Sequence, residues 1–172
     1  VQLSGNDPGM MFSLAVAYFR SGARGKAKAA YEEIVKQGAS IPGAYANLGL
    51  MRLEEGNVEG ALEVLAHGLK KVPNSASVLG AYGLALAVSG KPGKGIPWML
   101  RSLEVEPGNP ERLYNLAGMY ALSGKESEAL GSLDRAVTRG YGNAKKLARD
   151  PVFRAIRDDP RFRHILDRMN AR

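Results

Sequence analysis

Apolar residues recur at helical spacing over two stretches that typify the chain. In Ala44 to Glu55 they fall at Tyr45, Leu48, Gly49, Met51 and Leu53, and in Val58 to Val72 at Ala61, Leu62, Leu65 and Leu69. Each stretch reads as an amphipathic helix. The pattern returns every 34 residues. Gly22, Gly56, Gly90 and Gly124 keep that spacing, as do the small residues Ala15, Gly49, Gly83 and Ala117 and a second small series, Ala27, Ala61, Gly95 and Ala129. Bulky residues hold their own phase, Leu14, Leu48, Tyr82 and Leu116 in one series and Tyr31, Leu65, Met99 and Leu133 in another. Small residues at a fixed place let two helices approach closely, and large ones fill the grooves beside the contact. The glycine between the helices takes a left-handed C-cap at little cost. Pro73 and Pro107 stop the second helix of their units. The repeat predicts a series of helix hairpins.

On these residues the chain resembles the tetratricopeptide repeat family over about residues 8 to 141. The spacing, the Leu-Gly or Leu-Ala pair, the alanine and large residue of the second helix and the closing proline all agree. The resemblance implies an all-α, right-handed superhelical solenoid of antiparallel hairpins, with units of approximately 8–41, 42–75, 76–109 and 110–143. Three departures stand out: Ala39 and Tyr141 occupy the place of the closing proline in units one and four, and Gly95 replaces the alanine of unit three, with Pro97 two residues on. A proline in a helix interior costs about 3 kcal/mol. The expectation is therefore that this helix begins near Ile96, with Pro97 in its first turn and Lys91 to Gly95 as a loop.

The period also frames the ends. Val1 to Pro8 aligns with Leu103 to Pro110, so residues 1–7 read as the end of a preceding repeat or a linker and the chain as part of something longer. Past Tyr141 the period fails. Leu147, Val152, Phe153, Ile156, Phe162, Ile165, Leu166 and Met169 form a new apolar pattern broken by Asp150-Pro151 and Asp159-Pro160. Residues 142–172 thus read as two or three short helices covering the exposed end of the array, each Asp capping the helix that the proline begins. This segment resembles those that close repeat arrays in many bacterial multidomain proteins.

Charge bears on that segment alone. Residues 1–134 hold 13 Lys or Arg and 13 Asp or Glu, whereas residues 135–172 hold 11 against 4, which accounts for the whole net charge of +7. Lys145, Lys146, Arg149, Arg154 and Arg157 form a candidate basic patch, extended by Arg161 and Arg163, for nucleic acid, an anionic surface or an acidic protein. No stacking aromatic motif or helix-turn-helix accompanies it, and a solvated face explains it as well.

The family resemblance implies a ligand groove lined by the first helix of each hairpin. Its residues here are Phe12, Val16 and Phe19 in unit one, Asn47, Leu50 and Leu53 in unit two, Leu84 in unit three, and Tyr114 and Asn115 in unit four. In similar proteins asparagines at the positions of Asn47 and Asn115 bind a peptide backbone; an amide offers both a donor and an acceptor. Ser13 and Ala81 interrupt that series. The lysines of the family's carboxylate clamp would fall on Phe12 or Ala46 and on Ser77 or Glu111, and are absent. The implied partner is a protein or peptide with an apolar segment or helix.

No catalytic, cofactor or metal site is read from the residues. With no cysteine there is no thiolate chemistry, His67 and His164 lie in different units, and Gly90 to Gly95 lacks the order of a phosphate loop. No apolar run reaches the length of a membrane span. Three functions stay open: a non-enzymatic interaction scaffold, a C-terminal regulatory or assembly module of a larger enzyme, and a basic cap that binds nucleic acid or an anionic surface.

Overall fold

The computed structural model describes residues 7–171. The expectation for residues 1–7 lies outside these, except at Asp7. Four helix pairs follow one another: α1 (Pro8–Arg20) and α2 (Arg24–Lys36), α3 (Pro42–Glu54) and α4 (Val58–Lys71), α5 (Ala76–Val88) and α6 (Pro92–Val105), α7 (Pro110–Leu122) and α8 (Glu126–Thr138). A short α9 (Ala144–Arg149), a 3-10 helix (Pro151–Ile156) and α10 (Pro160–Asn170) complete the chain. Among the described residues there is no strand.

Local chemistry sets these boundaries. Asp7, Asn57, Ser75 and Asn109 each accept a hydrogen bond from the backbone N–H three residues on, which starts α1, α4, α5 and α7. Gly22, Gly56, Gly90 and Gly124 end the first helices at φ of 80°, 78°, 80° and 71°, a conformation closed to most other residues. The second helices of units one and four, which lack the closing proline, end on Gly38 and Gly140 at φ of 69° and 101° instead. Glycine there does by left-handed turn what Pro73 and Pro107 do by removing a donor.

The third hairpin departs from the sequence expectation. Residues 92–95 are helical, so α6 begins at Pro92 and carries Pro97 in its interior. Pro92 supplies the first-turn proline. Gly93 and Pro97 are both exposed, so the Gly93 carbonyl that Pro97 cannot bond is open to water. The close approach of α5 and α6 keeps the turn: a Cβ on Gly95 would stand 2.3 Å from the Gly83 carbonyl oxygen, and one on Gly83 would stand 2.8 Å from that of Gly95. Gly95 in place of alanine lets two backbones touch. Trp98 packs edge-on against Tyr82, with ring centroids 5.1 Å apart, and so braces the same pair.

Packing between units follows the two small-residue series. Ala15, Ala27, Ala61, Ala117 and Ala129 are completely buried. Successive first helices pack on one another, α3 on α5 and α5 on α7, while α2, α4 and α6 each pack on the first helices of their own and the next unit and α8 packs on α7 and α10. The first helices form the inner layer. Tyr31, Tyr45, Leu48 and Leu65 centre one core cluster, and Met99, Leu113, Leu116 and Leu133 centre another. The second cluster runs without a break into Leu147, Phe153, Ile156, Phe162 and Ile165 of the C-terminal segment. Asp150 and Asp159 cap the helices that Pro151 and Pro160 begin. At the other end, Leu14 is 50% exposed although Leu48 and Leu116, at the same place in the repeat, are 1% exposed. Among the described residues no helix lies outside α1 to cover it.

Candidate functional site

Three hollows run end to end along the inner layer. The first, about 190 Å³, is lined by Phe19, Asn47, Leu50, Met51 and Glu54. The second, about 230 Å³, shares Asn47 and Leu50 with the first and continues to Ala81, Leu84, Arg112 and Asn115. The third, about 250 Å³, shares Leu84 and Asn115 with the second and ends at Leu122, Lys146, Asp150 and Val152. Shared walls make one trough. Its floor is low because Ala46, Gly80, Ala81 and Gly118 project little or nothing, and Leu50, 36% exposed, rises from it.

The predicted groove residues divide into two groups. Phe19, Asn47, Leu50, Leu84, Tyr114 and Asn115 line the trough. Phe12, Val16 and Leu53 line none of the three hollows. Phe12 instead packs its ring 5.9 Å from that of Tyr31 and fills the space where a Cβ on Gly43 would sit, which makes it a seam between units one and two. Leu53 packs against the first core cluster.

Two trough residues are already engaged. The Asn47 amide donates to the Tyr31 hydroxyl at 3.0 Å, and its carbonyl oxygen accepts no side-chain hydrogen bond among the described residues. Tyr114 is only 4% exposed and its hydroxyl donates to Asp150 Oδ2 at 2.6 Å. Burial, with the adjacent carboxylate, pushes its phenol far above the ordinary tyrosine range. Asn115 makes no side-chain hydrogen bond among the described residues and offers its whole amide.

The C-terminal segment contributes a wall that the 34-residue period gives no means of finding. Lys146 places its ammonium 4.8 Å from the centre of the Tyr114 ring. Asp150 accepts from Tyr114 and, through Oδ1, from the Val152 N–H at 3.0 Å. Of the predicted basic patch, one residue is drawn into the structure and the others stay at the surface. Arg157 donates to the Asp150 carbonyl at 2.9 Å and is structural. Arg161 pairs with Asp159, Arg163 with Asp158 and Arg168 with Asp134. Lys145, Arg149 and Arg154 are exposed.

A roomier hollow, about 470 Å³, lies elsewhere, in the seam between α8 and α10, where Leu130, Gly131, Arg161, His164 and Ile165 line it. His67 stands edge-on to Tyr45, at 5.4 Å between ring centroids. Among the described residues no three His, Asp or Glu side chains come together as a metal site would require. No helix there is long and apolar enough to cross a membrane.

Residues 12–76 match the family model of the tetratricopeptide repeat, on the hairpins whose geometry has just been described. That stretch, the first two hairpins, is similar to tetratricopeptide repeats. Solved structures of similar fold extend the likeness over the rest of the chain. MamA 41-end from Desulfovibrio magneticus RS-1 has a TM-score of 0.72 at 15% identity, over 99% of this chain and 98% of that one. YrrB, described as a TPR protein with an unusual peptide-binding site, has a TM-score of 0.67 at 16% identity, over 96% and 86%. TTC0263, a thermophilic TPR protein of Thermus thermophilus, has a TM-score of 0.67 at 22% identity, over 96% and 82%. At such identities the likeness shows that this chain shares their fold. No curated protein matches the chain.

Proposed function

We propose that this array of hairpins is a non-enzymatic interaction scaffold that holds a peptide or helix of a protein partner in the trough along α3, α5 and α7. One observation carries the reading: three hollows join through Asn47, Leu50, Leu84 and Asn115 into a single path with an apolar floor. Side chains of a bound segment would gain about 1.5–3 kcal/mol for each fully buried leucine-sized group. The free amide of Asn115 and the free carbonyl of Asn47 would satisfy the segment's backbone, which suits a ligand read mainly by its apolar side chains. That YrrB is described as having a peptide-binding site supports the reading at the level of fold.

The test is recovery of partners by the intact array against Leu50→Glu and Leu84→Glu, with folding checked by circular dichroism. A charge in the floor should abolish recovery. Equal recovery by folded variants would rule out the trough.

A further inference from the structure

We propose that the segment seated in the trough carries acidic side chains at the end that lies over α9, where Lys146 receives them. The inference rests on the trough reading and adds a polarity and a charge to the partner.

Lys146 lines the third hollow beside the apolar residues Leu84, Met119 and Leu122, and makes no ion pair among the described residues. The Tyr114 ring beneath its ammonium holds that charge at the hollow without neutralising it. Asp150 is the one acid on the same hollow, and it is occupied: Oδ2 accepts from the Tyr114 hydroxyl and Oδ1 from the Val152 N–H. Its charge tempers the local potential, but Lys145 and Arg149 on the same helix add two exposed cations.

The lining of the third hollow pairs one cation with one acid, and the excess at this end comes from Lys145 and Arg149 beside it; among the described residues no comparable neighbours flank the other hollows. The second is lined by one charge of each sign, Glu111 and Arg112, the latter paired with Glu106 at 2.6 Å. The first is lined by Glu54, which pairs with Arg24. The trough is therefore balanced along most of its length and positive at one end. A carboxylate delivered to this end meets an exposed ammonium that the Tyr114 ring holds beside the apolar floor, an attraction that salt screens. Complementary charge of this kind fixes the direction in which a segment lies.

The experiment selects ligands from a displayed library of random 16-residue peptides on the full chain, then measures synthetic copies of the selected sequences by fluorescence anisotropy. Selected sequences should combine spaced Leu, Ile, Phe or Met with Asp or Glu gathered toward one end. Binding should weaken about tenfold in Lys146→Ala and further in Lys146→Glu. Apolar sequences with no acidic bias, or affinities unchanged in both Lys146 variants, would overturn the charge assignment and leave the trough standing. Absence of selected binders, or binders that survive Leu50→Glu and Leu84→Glu, would remove the trough itself and this inference with it.

Discussion

Tyr114 and Asp150 join the last hairpin to the cap, the phenol donating to the carboxylate at 2.6 Å across 36 residues of sequence. The Tyr114 ring also stacks on Tyr141 at 4.4 Å between centroids and meets Phe153 edge-on at 5.3 Å. Removing the hydroxyl leaves those ring contacts but takes one donor from a carboxylate. Tyr114→Phe should lower stability by about 2 kcal/mol, the usual worth of a hydrogen bond to a charged group. Urea unfolding should show a lower midpoint at an unchanged slope.

The buried phenols give the array a defined response to alkali. Desolvation raises Tyr114, Tyr45 and Tyr141 above their ordinary value of 10.0. Each therefore keeps its proton in the folded chain where the unfolded chain loses it. Their contribution to stability is whole below pH 10 and declines as pH rises above it, by up to about 1.4 kcal/mol per pH unit for each phenol. Tyrosinate absorbance followed from pH 9 upward should show these three of the seven tyrosines ionising only as the chain unfolds. Seven phenols titrating together near pH 10 in the folded protein would contradict this.

Two glycines should respond to alanine in opposite ways. Gly95→Ala drives a methyl against the Gly83 carbonyl, where neither backbone can yield without separating α5 from α6. A loss of about 3 kcal/mol is expected. Gly131 lies within α8 and is exposed, and a Cβ there would meet nothing within 4 Å. Gly131→Ala should gain about 0.5–1 kcal/mol from helix propensity. Thermal unfolding of the pair reads both signs.

Pro97 is a second place where the chain is less stable than its fold permits. Pro97→Ala restores an N–H to the exposed Gly93 carbonyl within α6, and a gain of about 2 kcal/mol is expected, below the full helix-interior value because water already serves that carbonyl. An unchanged or lowered midpoint would mean that the proline ring itself stabilises the hairpin.

How much of this is legible in the sequence depends on the range of each interaction. Gly22, Gly56, Gly90 and Gly124 announce the turns because a left-handed cap is a local demand, and the burial of Ala27, Ala61 and Ala129 follows from their phase. Gly38 and Gly140 are hidden from the repeat because they replace a proline by a different mechanism. Propensity at Pro97 alone misplaces the start of α6, since the contact between Gly83 and Gly95 emerges only in the packed hairpin. Within the trough, Leu50 and Leu84 are legible from their place in the repeat. Engagement of Asn47 by Tyr31, burial of Tyr114 under Asp150 and delivery of Lys146 to the third hollow are not. The last two join residues of the period to a segment that lies outside it.

The central claim is that the inner layer of first helices is the face a partner occupies. Backbone amide chemical shifts, followed while a peptide selected on the full chain is titrated in, test it most directly. The account predicts that the largest changes fall in α3, α5 and α7, at Leu50, Leu84 and Asn115, and reach Lys146 in α9. Changes concentrated instead on α4, α6 and α8 would contradict it.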